Sequence, residues 1–377
     1  MKKGPLLFIC SASFFMSYFS RLVWSIVSSF STLKPTQVED GVIFSLFFVG
    51  YVVVQIPSGI IVDSVGPRKV MVGSLLGLSI ASLGSAISPS IFWEYVSSLV
   101  MGLSAGWIYP TTIKVISGNY KGRDLHNAIG LYSLAWPLSI VTSGFLIPPL
   151  ATINWELPYI VLFFMTLALS IVSWKVIREE RKPISRRSIS FAKDIRVIAI
   201  SAGGFMFFFS YWSLTLFLYK FLLIVHYNPI IAGVIYSFTA IAGIPSTIIS
   251  GRILDIIGTR RSLLTFVGMY GIFILLIDFT YKFLIPLSLL FLAMGFVRFI
   301  ITPSHSSALA FIGGKNSGGV SGFANFFWQF SGIVSSIVSP LIVENLSYQL
   351  LWAFMGTITL LSLFFYYMVR VNDFNVS

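Results

Sequence analysis

Two arginines lie where an apolar chain rarely carries a charge. Arg21 falls in the apolar run from Leu6 to about Phe30, and Arg298 falls near the middle of the run over 284–310. A guanidinium near the bilayer centre costs about 2.5–3.5 kcal/mol on insertion scales, so a charge in such a run is a functional candidate by default. Polar residues recur around each at helical spacing. Ser13, Ser17, Arg21, Trp24 and Ser28 form one stripe, and Arg298, Thr302 and His305 share one face. Neither arginine has an acid within two turns on its own helix. Guanidinium presents a planar fork that matches a carboxylate, which Lys does not. The chemistry available is anion binding. For Arg21, about 22 Å above Leu6 at 1.5 Å per residue, snorkelling to the interface is the competing role.

Other polar residues extend this candidate site. Ser97, Ser104 and Thr111 recur every seven residues on the run over 91–117 and are expected to line a cavity. Asn325, Trp328 and Gln329 form a polar patch on the run over 318–342, where helix–helix hydrogen bonding is the alternative role. His305 titrates near neutral pH unless it is simply packed neutral. Lys114 is expected to snorkel. Glu94, Glu156, Asp278 and Glu344 fall at run ends and are expected in solvent. The interior is then net positive without an acidic counter-charge, which suits an anionic substrate better than a cation.

Several classes are excluded. Cys10 is the single cysteine, so no intramolecular disulfide forms. No His/Cys/carboxylate cluster points to a metal, and no nucleophile or acid pair inside the runs points to an enzyme, so no catalytic residue and no cofactor is expected. No Gly-rich loop with Lys-Ser or Lys-Thr is present to hold ATP phosphates.

The elements that must position these residues are membrane spans. The chain is 56% hydrophobic and 10% charged, against roughly 25% charged in a soluble domain. Twelve apolar runs are read, near 6–30, 41–62, 69–89, 91–117, 126–150, 156–177, 195–220, 229–251, 262–281, 284–310, 318–342 and 349–370. Lys2 and Lys3 resemble the start of a signal peptide, but the first run is too long and lacks a small-residue cleavage site, so a retained helix is expected. The net charge of +12 lies mainly in short connecting segments, which fits topology rather than nucleic-acid binding. With the N-terminus in the cytoplasm, eighteen Lys and Arg fall on the cytoplasmic side and three, Lys34, Lys220 and Lys282, on the other. Both termini are therefore expected in the cytoplasm. The gap over 178–196 carries seven of the eighteen and divides the chain into six-span halves at 1–177 and 197–377.

An internal repeat reinforces this division. Gly59, Asp63, Gly66, Arg68 and Lys69 return as Gly251, Asp255, Gly258, Arg260 and Arg261. Each set is read as a short charged turn, with Asp63 just before a helix start, where the free N–H groups favour a carboxylate. Gly102 followed by Pro110 returns as Gly295 followed by Pro303.

These two turns resemble the signature loop of the major facilitator superfamily, which occurs between helices two and three and again between eight and nine. The resemblance implies an all-α fold of two pseudo-symmetric six-helix bundles with a substrate site near the midplane between them. It also implies a latch, in which Asp63 meets the start of the eleventh span at Gly318-Gly319 and Asp255 faces the fifth span near His126. A finer resemblance is to the organic-anion, or anion:cation symporter, branch. It is carried by Tyr18-Phe19-Ser20-Arg21, Gly50-Tyr51, Gln55-Ile56-Pro57-Ser58-Gly59 and Tyr109-Pro110 through Lys114. Where that branch carries proton-linked carboxylates, this chain has Ser20 and Ser104. The expected function is secondary transport of a small organic anion, a monocarboxylate or sugar acid, across the plasma membrane. The expected partners are that anion, the bilayer and a coupling proton or ion, with the monomer as the working unit. The alternatives are an exporter of hydrophobic compounds and a non-transporting sensor; a sensor would need a cytoplasmic output domain, for which the linker and tails are too short.

Overall fold

The structure is a computed structural model that describes residues 3–178, 194–314 and 317–369, so most of the basic segment over 178–196 lies outside the described residues. The regular structure is helical: α1 (Lys3–Val27), α2 (Gln37–Val65), α3 (Pro67–Ala86), α4 (Ile91–Ala105), α5 (Ile108–Asn119), α6 (Gly122–Ser133), α7 (Ala135–Ile153), α8 (Leu157–Val176), α9 (Ile195–Ile224), α10 (Pro229–Ile241), α11 (Gly243–Ile257), α12 (Thr259–Thr280), α13 (Leu284–Gly313), α14 (Ser317–Asn345) and α15 (Tyr348–Met368). Among the described residues, twelve stretches are long and apolar enough to cross a membrane, with α4–α5, α6–α7 and α10–α11 each broken once within a single span. Phe8, Phe164, Phe279 and Phe364 stand exposed on helix faces. Such surfaces suit lipid, which is as apolar as they are.

Local signals start the helices where the chain leaves its turns. Thr36 and Glu39 form a reciprocal capping box at α2, with the Thr36 hydroxyl accepting from Glu39 N–H at 3.2 Å and the Glu39 carboxylate accepting from Thr36 N–H at 2.7 Å. Ser347 caps α15 through Leu350 N–H, and Asp194 caps α9 through Arg196 N–H. Arg196 also donates to the Asp194 carboxylate, and together these bonds hold that carboxyl below its usual range.

The contacts group the chain into two compact units. One holds Met1–Ser185 with Asn228–Val234, and the other holds Arg186–Tyr227 with Ile235–Ser377. Within each, glycines let helix backbones come together. A Cβ on Gly102 would meet the Phe47 backbone, and one on Gly50 would meet Leu103 N and Leu99 O, so α2 and α4 touch main chain to main chain. In the second unit a Cβ on Gly295 would meet the Phe238 and Thr239 backbones at 2.8 Å, and one on Gly243 would enter the Phe299 ring. The repeated Gly102 and Gly295 therefore mark equivalent close crossings.

The charged turns are shorter than the sequence suggests. α2 continues through Asp63 to Val65, and the chain reverses at Gly66 alone, at φ 101°. α11 runs to Ile257 and reverses at Gly258, at φ 83°. Only glycine takes such values without strain. Asp63 therefore lies within the last turn of α2 rather than capping α3, whose N-cap is Gly66.

Candidate functional site

Arg21 is 4% exposed in the middle of the first unit. It lies among four aromatic rings, Tyr51 at 4.4 Å, Tyr18 and Phe48 at 5.0 Å and Phe47 at 5.4 Å from the guanidinium carbon. Rings at this range attract a cation through their negative faces, by about 2 kcal/mol where both are desolvated. The position follows from local structure: Tyr18 is one turn below Arg21 on α1, and Phe47, Phe48 and Tyr51 are on the α2 stretch that Gly50 brings close to α4. Trp24, one turn above, donates to Asp40 Oδ1 at 2.9 Å. Ser17 donates to the Ala105 carbonyl at 3.3 Å. All five residues of the Ser13–Ser28 stripe are buried, so helical periodicity placed that face inward.

Arg298 repeats the arrangement in the second unit and is 1% exposed. Tyr211 lies 4.1 Å from its guanidinium carbon, Phe207 and Phe208 5.2 Å, and Phe299 5.8 Å. One guanidinium N–H donates to Thr302 Oγ1 at 2.6 Å, one turn along α13. His305, a further turn on, shares a hydrogen bond of 2.7 Å with the Tyr366 hydroxyl and packs on Phe208 and Trp328. Arg298 and His305 thus sit against the same pair of phenylalanines. Trp328 brings α14 to this cluster and stacks on Phe208 at 5.3 Å. Asn325 and Gln329 flank it half-buried. Tyr18 and Tyr211 each lie on the first span of their own half. The two arginine environments therefore share a tyrosine from equivalent helices, although the arginines come from non-equivalent ones.

The structure separates some residues that the sequence groups together. Ser104 faces α3, where it would meet a Cβ on Gly77, and it lines a cleft of about 270 Å³ with Lys69, Gly73 and Trp107. Thr111 is buried and donates to the Trp107 carbonyl. Neither reaches the cavity beside Arg21. The seven-residue spacing does hold from Ser97 to Ser104, which face Gly84 and Gly77 respectively, but that face of α4 packs on α3 instead of lining a cavity beside Arg21.

The acids require a larger correction. Glu94 is 1% exposed rather than solvated, and Asp40 is buried equally deeply. The first unit therefore contains two buried carboxyls, and the expectation of an interior without acid fails there. Among the described residues of the second unit no acid is buried; Glu344 is exposed, and Asp278 is half-buried. Glu94 was missed because a first-turn acid normally signals a solvated helix start, whereas here Ser85 and Tyr159 reach it from α3 and α8.

At the turns, Asp63 Oδ1 pairs with Lys114 Nζ at 2.6 Å, and the same ammonium donates to the Val62 carbonyl at 2.7 Å. Lys114 therefore fastens α5 to the end of α2 rather than snorkelling alone. In the repeat, Asp255 is exposed, and Ser307 takes the corresponding place and meets Thr259 at 3.0 Å. Arg68 lies 4.7 Å from the Trp174 ring, and Arg260 lies 4.6 Å from the Tyr367 ring, at matching positions of α8 and α15.

The family description "Major Facilitator Superfamily" matches the chain over residues 7–277 and again over 200–374. The chain belongs to the Major Facilitator Superfamily. It is a multi-pass membrane protein of that superfamily, and its relatives are transporters rather than enzymes. The probable sulfoacetate transporter SauU of Cupriavidus necator is 22% identical over 96% of this chain and 93% of its own length. The D-galactonate transporter of Escherichia coli O6:H1 is 26% identical over 42% of this chain, and the niacin transporter NiaP of Acinetobacter baylyi is 25% identical over 33%. Those two matches span only 38% and 29% of the relatives' lengths. The nucleoside transporter NupG, solved as a point mutant, shares the fold with a TM-score of 0.83 over 97% of this chain and 98% of its own, at 14% identity.

Proposed function

We propose that this superfamily member is a secondary transporter moving a small organic anion, a monocarboxylate or sugar acid, across the plasma membrane by alternating access. One observation carries the reading. Each unit holds one arginine buried to a few per cent among four aromatic rings, at 4% exposure for Arg21 and 1% for Arg298. A permanently charged group is costly there and suits a ligand of opposite charge. Among the relatives, the transporters of galactonate, sulfoacetate and niacin are named for anions of the same chemical class.

In this reading Arg21 and Arg298 are each a carboxylate-binding residue of their own unit. Ser17 and Trp24, with Thr302, His305, Asn325 and Gln329, set the shape and polarity around it. The glycine turns with Asp63 and Asp255 control the exchange between conformations, both termini lie in the cytoplasm, and the monomer is the working unit. The test is uptake into proteoliposomes of galactonate, glucuronate, sulfoacetate and nicotinate, beside a hydrophobic quinolone, with and without a pH gradient. Uptake of one or more anions supports the reading. Movement of the quinolone alone favours a hydrophobic-compound exporter and overturns it.

A further inference from the structure

The cleft of about 270 Å³ beside Ser104 has no part in anion transport as proposed above. It lies in the first unit, where the end of α2, the first two turns of α3 and the break between α4 and α5 leave a gap. Gly73 keeps that gap open, since a Cβ there would meet nothing within 4 Å. Lys69, Gly73, Leu76, Ile80, Leu83 and Ile87 return every four or three residues along α3 and just past its end, and all are exposed. They form one stripe on the outward face of the helix, which in a bilayer meets acyl chains. The cleft therefore opens toward lipid, with a cation at one end of the stripe and an apolar track leading away from it.

The polar groups of the cleft are uncommitted. No described acid pairs with Lys69, whereas Lys114 is taken by Asp63 and Arg68 lies on the Trp174 ring. Ser104, opposite Gly77 and two turns further into α3, lines the cleft with a hydroxyl that has no hydrogen-bond partner among the described residues. The same holds for the indole N–H of Trp107. The rest of the lining is apolar apart from Ser74, which donates to the Val70 carbonyl at 2.8 Å, and no acid faces the cleft. The repeat does not copy this arrangement. Counted from the repeated turn, Thr265 holds the place of Gly73, and counted from the repeated Gly102, Val297 and Ile300 hold those of Ser104 and Trp107.

We propose that this cleft binds an anionic phospholipid from the leaflet that meets the glycine turns. Lys69 takes the phosphate, Ser104 and Trp107 offer donors to the ester carbonyls, and one acyl chain lies along Leu76 and Ile80. A lysine at the interface keeps its ammonium among headgroups while its stem covers apolar surface, so it suits this end of the site. A soluble phosphate would reach Lys69 but leave both inner donors and the apolar track unused.

The experiment uses the full-length protein in phosphatidylcholine nanodiscs containing rising fractions of phosphatidylglycerol brominated on one acyl chain. Bromine quenches indole fluorescence at short range, and the difference between wild type and Trp107→Phe isolates the Trp107 signal. The Trp107 signal should be half quenched at about fivefold lower fraction of brominated phosphatidylglycerol than of brominated phosphatidylcholine, the preference that one juxtamembrane lysine supplies. Lys69→Gln should remove that preference, and Gly73→Leu, which fills the open space, should leave Trp107 unquenched by either lipid. Equal quenching by the two lipids in wild type overturns the proposal, as does an unchanged preference in Lys69→Gln or unchanged quenching in Gly73→Leu. Relief of quenching by added glycerol 3-phosphate assigns the site to a soluble phosphate and also overturns it. If Gly73→Leu does not fold, Lys69→Gln decides the matter alone, because that side chain is exposed.

Discussion

Replacing Arg298 with Gln leaves a shorter side chain that carries no charge. In the wild type the guanidinium donates to Thr302 at 2.6 Å and lies against Tyr211 at 4.1 Å, which holds its fork in one orientation. A bidentate grip on a carboxylate comprises two charge-assisted hydrogen bonds of about 1.5–3 kcal/mol each. Gln can return one neutral donor, so the net loss is about 2–4 kcal/mol. At 1.4 kcal/mol per tenfold, affinity should fall roughly 30- to 700-fold. Arg298→Lys keeps the charge and loses the fork, about one such bond, or roughly 10- to 150-fold. Both variants also lose attraction to the surrounding rings, worth about 0.5–2 kcal/mol, so the melting temperature is measured in parallel. The assay is equilibrium binding of galactonate and sulfoacetate to purified protein in nanodiscs. A folded Arg298→Gln that binds within about twofold of wild type, in a protein shown to transport that anion, refutes the assignment.

The glycine crossings give a stability prediction: Gly102→Ala and Gly295→Ala each force a methyl into a neighbouring backbone and should cost about 1–3 kcal/mol, whereas Gly130→Ala, with nothing within 4 Å, should be neutral or stabilising. Thermal unfolding in detergent checks the contrast, and equal effects at the three positions would refute the close-crossing account. Asp63→Asn removes the Lys114 ion pair and should slow turnover while leaving substrate affinity within about twofold, because the contact acts between conformations and not on the ligand. Unchanged transport rate in proteoliposomes would remove Asp63 from the conformational cycle. With Cys10 replaced, cysteines at Ser185 and Lys34 report topology: an impermeant thiol reagent should label position 34 and spare position 185 in intact cells, and the reverse pattern would invert the orientation.

Much of the fold was legible in the chain because a bilayer imposes simple rules. A span needs about 20 apolar residues, so twelve runs could be read off in order, and the described helices follow them. The charge spacing of Gly59–Lys69 and its copy marked the repeat because each reversal needs a residue free to take positive φ, which Gly66 and Gly258 supply. Periodicity put Arg21, Arg298 and the serine stripe on shared helix faces, while the choice between burial and snorkelling for Arg21 came from the tertiary structure, where it is 4% exposed. What only the tertiary structure decided concerns groups joined across helices. The rings around each arginine come from two helices in each case, α1 with α2 and α9 with α13, and no local pattern links Tyr18 to Tyr51 or Tyr211 to Phe299. Ser104 shares its helix face with Ser97, and only the tertiary structure shows that this face packs on Gly77 and Gly84 of α3. Glu94 is the clearest case. Its place in the first turn of a helix reads as solvent in one dimension, and only the arrival of Ser85 and Tyr159 from two other helices makes it an interior acid. Burial of a single side chain is set by what packs over it, and that depends on residues far away in sequence.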